Sequence, residues 1–127
     1  MFITRTEGAS FDQRGLGVRA LGMGNTFTAV ADDATSIYWN PAGLADQRKH
    51  EFYLKYSDLY SLGLINTHFL AYAHPNAGPG GVGVAWSRLS TNSDKIKNLR
   101  YAENVGYFSY GYRTPLKFLR IGATMKF

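Results

Sequence analysis

The chain has 127 residues, a formal charge of +5 and no cysteine, with 18% charged residues, 15% aromatics and 14 glycines. A cysteine-free chain has no disulfide frame and no thiolate metal centre. No window approaches the roughly 20 apolar residues of a membrane-spanning helix, a test that β-barrel strands of about 9–11 alternating residues escape.

Residues 1–14 are polar and irregular, and are expected to be a loosely ordered lead. Met1 to Glu7 has neither the apolar core nor the small-residue cleavage site of a secretory signal. If the protein is exported, the precursor starts earlier. Residues 15–45 contrast with all that follows: Gly15, Gly17, Gly22 and Gly24, the adjacent Asp32 and Asp33, and the turn Asn40-Pro41-Ala42-Gly43. Thr26 to Ala31 alternates well enough for a short strand. Residues 32–39 are predicted to form a short helix, capped by Asp32 or Asp33. Ala34, Ile37 and Tyr38 make its apolar stripe, and Pro41 ends it.

After Ala45 the period becomes two, and residues 46–127 are predicted to form about five antiparallel strands joined by local turns. Glu51–Ser57 places Phe52, Leu54 and Tyr56 on one side. Leu64–His74 places Ile65, Phe69, Ala71 and Ala73 opposite Asn66, His68 and His74. Pro75–Gly80 is a tight turn. Gly81–Leu89 alternates Val82, Val84 and Trp86 with Gly81, Gly83, Ala85 and Ser87, and this small-residue face leaves room for something bulky against the sheet. Ser90–Asn104 is a long polar loop. Val105–Arg113 groups Phe108, Tyr110 and Tyr112, a turn follows at Thr114-Pro115, and Leu119–Phe127 alternates again.

A soluble sheet and a membrane wall share this alternation. Strand lengths, the recurrence of Tyr53, Tyr56, Tyr60, Tyr72, Trp86, Tyr101 and Tyr112 near strand ends, and connections that alternate short and long favour the wall.

Three runs occur in order: Arg19-Ala20-Leu21-Gly22-Met23-Gly24, then Phe27 through Ala34, then Tyr38-Trp39-Asn40-Pro41-Ala42-Gly43-Leu44-Ala45. With Gly8-Ala9-Ser10-Phe11 upstream, they resemble the N-terminal signature of the PorV/PorQ group of outer-membrane proteins, within the FadL-like β-barrel superfamily. The likeness covers residues 8–45, whereas 46–127 resemble the family only as generic barrel strands. It implies a mainly β fold: an antiparallel meander of transmembrane barrel strands, partial and open, with residues 15–45 as an N-terminal hatch containing a short helix. It also implies residence in the outer membrane in contact with its lipid. The implied role is in type IX protein secretion or envelope assembly, with secreted cargo or secretion components as partners. The transporter branch of the superfamily offers a second role, the passage of hydrophobic small molecules such as long-chain fatty acids. A soluble β-domain with an apolar partner is a third reading. Five strands do not close a barrel, for which about eight are needed. The parity of the turns places the end of the fifth strand outside, so the chain is expected to be the front of a longer protein with a bare edge at 119–127.

The formal G-x-G-x-x-A match at Gly15–Ala20 lacks the strand before it and the helix after it that dinucleotide binding requires, since Gly22 and Gly24 spoil the helix. Asp32 and Asp33 have no third acid nearby, so capping is preferred to cation binding. His68 and His74 show no metal spacing, and no serine has a nucleophile context. No catalytic residue, cofactor or metal is therefore assigned. Phe27, Tyr38 and Trp39 either line a passage or fix the hatch to the wall, and with Asp32, Asp33, Asn40 and Pro41 they are the candidate hatch residues. Lys95, Lys97 and Arg100 form a basic cluster on the long loop, best read as solvated; without aromatic interleaving, nucleic acid is not a partner.

Overall fold

A computed structural model describes residues 16–59, 61, 63–91 and 102–127. The lead, Gly15, Tyr60, Tyr101 and the basic cluster of Lys95, Lys97 and Arg100 lie outside the described residues. Five strands form one antiparallel meander: β1 (Glu51–Leu59), β2 (Ile65–His74), β3 (Gly80–Thr91), β4 (Ala102–Arg113) and β5 (Arg120–Lys126). The sheet is open, with β1 and β5 at its edges. The polar loop is shorter than the sequence suggests. Backbone pairing of Leu89 with Glu103 and Ser90 with Ala102 carries β3 and β4 into it, because ladder bonds satisfy polar segments as well as apolar ones.

The N-terminal segment, residues 16–47, lies on one face of this sheet. It holds a helical turn α1 (Val18–Gly22), a second turn α2 (Ser36–Trp39) and a 3-10 helix at Pro41–Asp46. Three local expectations need correction. Residues 18–22 are helical despite Gly22, which serves as the last helical residue rather than preventing the turn. Residues 26–31 are turns, not a strand, closed by Val30 N–H and Ala31 N–H on the Phe27 carbonyl. The helix expected over 32–39 is confined to 36–39. Asp33 Oδ1 accepts from Thr35 N (2.8 Å) and Thr35 Oγ1 (2.5 Å), tying residues 33–35 into a turn ahead of it.

Strand register sorts the side chains onto two faces of opposite character. The covered face includes Phe69, Ala71 and Ala73, which with Ala34, Ile37, Leu44 and Tyr107 make the main core. It also carries Glu51, Lys55, Gly81, Gly83, Ser109, Gly111, Gly122 and Thr124. The opposite face is bare and apolar: Phe52, Leu54, Val84, Trp86, Phe108, Ile121 and Met125 are all exposed, Leu54 by 68% and Met125 by 67%. Its rows run level across the strands. Phe52 pairs with Tyr72, Tyr72 with Val84, Val84 with Phe108, and Phe108 with Met125. Towards the β1–β2 and β3–β4 connections the rows turn polar, with His68 opposite Arg88 and Arg88 opposite Asn104.

Candidate functional site

The segment is seated on a row of glycines. Gly81 of β3 pairs with Gly111 of β4, which pairs with Gly122 of β5. A Cβ at Gly81 would collide with the Leu44 carbonyl, one at Gly122 with Ala42 N and the Pro41 carbonyl carbon, and one at Gly111 would stand 2.5 Å from the Pro41 oxygen. One row up, a Cβ on Gly83 would stand 2.5 Å from Cγ1 of Ile37. The sheet thus forms a cradle without side chains in which the backbone of residues 41–44 rests, with Ile37 and Leu44 filling the space above Gly83. This is the bulky occupant that the small-residue face of β3 anticipates.

Polar groups fix the segment in place. The Ser109 and Thr124 hydroxyls share a hydrogen bond at 2.8 Å, and each lies 3.3 Å from the Ile37 carbonyl, which accepts from whichever of the two is not donating to the other. Arg113 Nη2 donates to the Ala45 carbonyl (2.6 Å), meeting one of the carbonyls left open where the 3-10 helix ends. Arg120 Nε reaches both Asp46 oxygens at 3.0 and 3.1 Å. Tyr53 of β1 accepts from Val18 N (3.0 Å) at the start of α1.

The candidate residues take distinct places. Asn40 is extended, and its side chain bridges two loops: Oδ1 accepts from Ala42 N and Nδ2 donates to the Thr28 carbonyl. Pro41 opens the 3-10 helix, where its missing N–H costs nothing. The proline therefore breaks one helix and starts another. Phe27 is fully buried with Ala20 and Ala31 in a small core inside the segment, and Trp39 packs on it while donating from Nε1 to the Leu16 carbonyl (2.6 Å). Tyr38 faces the sheet and meets Tyr107 edge-on at a ring distance of 6.1 Å. Phe27 and Trp39 thus hold the segment together internally, and Tyr38 joins it to the sheet.

Asp32 does not cap α2. Arg19 Nη1 bonds Asp32 at 2.7 Å and Asp33 at 3.1 Å, and its guanidinium lies over the Phe27 ring. The hydrogen bond from Arg19 holds the Asp32 carboxyl below its usual range. Two neighbouring acids with one arginine make an ion-paired clamp. Among the described residues no group of three His, Cys, Asp or Glu converges. Asp46, Ser109, Arg113 and Arg120 are not singled out by the sequence, because they meet their partners only where the segment is seated on the paired strands, and Arg19, present there only within a motif, meets its acids through the turns of the segment.

A cleft of about 260 Å³ opens beside the 3-10 helix, lined by Ala29, Val30, Ala31, Ala42 and Gly43 and by the polar Asp32, Asn40, Asp46 and Arg120. The molecule is thus a one-sided antiparallel sheet with a polar-pinned segment on its small-residue face and an apolar surface opposite. Comparison with protein-family models, with curated proteins and with solved structures gave no match.

Proposed function

We propose that β1–β5 are part of the wall of an outer-membrane β-barrel, with residues 15–45 as a hatch on its luminal side. The observation that carries this reading is the inverted polarity of the sheet. The covered face holds glycines, hydroxyls and charges, whereas the bare face displays aromatic and branched side chains in level rows. A soluble sheet of this size would bury the second set. β3 has twelve residues, about 40 Å of strand, long enough at the usual tilt to cross an apolar band of about 25 Å, and its bare-face apolar side chains run from Val82 to Trp86. The polar row His68–Arg88–Asn104 closes that apolar stretch on one side.

Within this class, the N-terminal motifs support a protein of the PorV/PorQ kind acting in type IX secretion or envelope assembly. The cleft carries two acids and an arginine, and the backbone of residues 41–44 lies directly on glycine. Both features favour docking of a polar partner over passage of a fatty acid. Two experiments test the proposal. The expressed protein should fractionate with the outer membrane and resist alkaline extraction; clean recovery as a monomer in detergent-free buffer would contradict the barrel. Asn40→Ala should impair release of exported cargo and leave fatty-acid uptake unchanged; the reverse outcome would favour the transporter.

A further inference from the structure

On the bare face, where β2 ends beside the entry to β1, three ring side chains converge. His50 Nδ1 lies 2.9 Å from Tyr72 Oη, and His74 Nδ1 lies 3.4 Å from the same oxygen. The imidazoles are 4.7 Å apart between centroids and tilted by 62°, so they meet edge to face. Register explains the meeting. Glu51 pairs with Ala73, so one step beyond the strand His50 stands opposite His74, while Tyr72 and His74 share a face two residues apart on β2.

We propose that His50, Tyr72 and His74 form a binding site for a borderline divalent transition-metal ion, with Cu2+ the tightest of the series. Imidazole nitrogens suit such ions, and affinity peaks at copper for a given donor set. The metric fits. Cis ligands about 2.0 Å from a tetragonal Cu2+ are about 2.8 Å apart and those of a tetrahedral ion about 3.3 Å, and the two oxygen–nitrogen spacings are 2.9 and 3.4 Å. Both histidines turn the same atom, Nδ1, towards the phenol. The phenolic hydrogen can serve only one of them, so the other must donate its own. A metal ion replaces these shared protons: Tyr72 loses its proton to water and binds as phenolate, and both imidazoles bind through Nδ1 in the neutral form. His50 precedes β1 and is exposed, and His74 is the last residue of β2, so the site stands at the rim of the apolar rows, where an ion has access from water and further positions are open to another ligand. Arg48 and Lys49 precede His50 and hold the affinity below that of an acid-rich centre. The site is independent of the proposed barrel, since all three residues belong to one hairpin.

The test is a Cu2+ titration of the complete folded chain in detergent, followed by calorimetry and visible absorption. One equivalent should bind with a phenolate-to-copper charge-transfer band. His50→Ala and His74→Ala should each weaken binding by about 100-fold or more, since even outer-shell losses cost 10–100-fold. Tyr72→Phe should remove the band and retain weaker binding, and His68→Ala should change nothing. Matching circular dichroism spectra establish that the variants fold; His50→Gln serves if His50→Ala does not. Absence of binding, binding unchanged in the His50→Ala/His74→Ala double variant, or equal loss in His68→Ala would each overturn the site.

Discussion

Adding a single methyl group at Gly122 tests how the segment is seated. The new Cβ would overlap Ala42 N and the Pro41 carbonyl carbon, both backbone atoms that cannot rotate away. Either the 3-10 helix lifts or β5 bends. Overpacking of this kind costs about 1–3 kcal/mol, which shifts the equilibrium between seated and detached segment by about 5- to 160-fold. Gly83→Ala should cost less than Gly122→Ala, because its obstacles are side-chain atoms of Ile37 rather than backbone. Gly22→Ala is the control: nothing lies within 4 Å of a Cβ there, and alanine suits a helix end at least as well. The chain has no native cysteine, so Ala34→Cys, at a fully buried position, provides a clean reporter. Maleimide labelling of this cysteine should accelerate in the order Gly22→Ala, Gly83→Ala, Gly122→Ala. Equal rates for all three would refute the cradle.

Other consequences follow from the same contacts. Ser109→Ala leaves Thr124 on the Ile37 carbonyl and should cost under about 1 kcal/mol, whereas Ser109→Ala with Thr124→Val strands that carbonyl and should cost about 1–3 kcal/mol in denaturant unfolding. Because Arg19 lowers the Asp32 pKa, the pair's contribution is complete above the unfolded value near 4 and is lost as pH falls through the lower folded value. Asp32 is more than half exposed, so the effect is on the order of 0.5 kcal/mol; Asp32→Asn should remove that acid-side loss from a stability-versus-pH curve. Leu54→Arg should cost about 2–4 kcal/mol in a bilayer if this position sits near its midplane. In a soluble sheet the same exposed substitution would stay within about 0.5 kcal/mol.

The sheet was legible in the sequence because strand alternation is local: Phe52, Leu54 and Tyr56 announce one face without reference to any partner. The change of period after Ala45 likewise separates segment from sheet. The cradle was not legible. Gly81, Gly111 and Gly122 look unrelated in the sequence and align only once two strand registers are set. The same holds for His50 and Tyr72, which are 22 residues apart. The short helix over 32–39 was overextended because adjacent acids resemble a cap in sequence, whereas Arg19 takes Asp32 and the Thr35 turn takes Asp33. The strand expected at 26–31 failed for a related reason: Phe27 is buried inside the segment, and turns bring it there.

The two tryptophans stand on opposite sides of the sheet: Trp86 is exposed on the apolar face, and Trp39 is held in the segment by Leu16. With the protein reconstituted in vesicles whose lipid chains carry bromine or nitroxide, the Trp39→Phe variant should be strongly quenched through Trp86. The Trp86→Phe variant, reporting Trp39, should be quenched little. Quenching of Trp39 with Trp86 spared, or of neither, would contradict a lipid-facing outer surface.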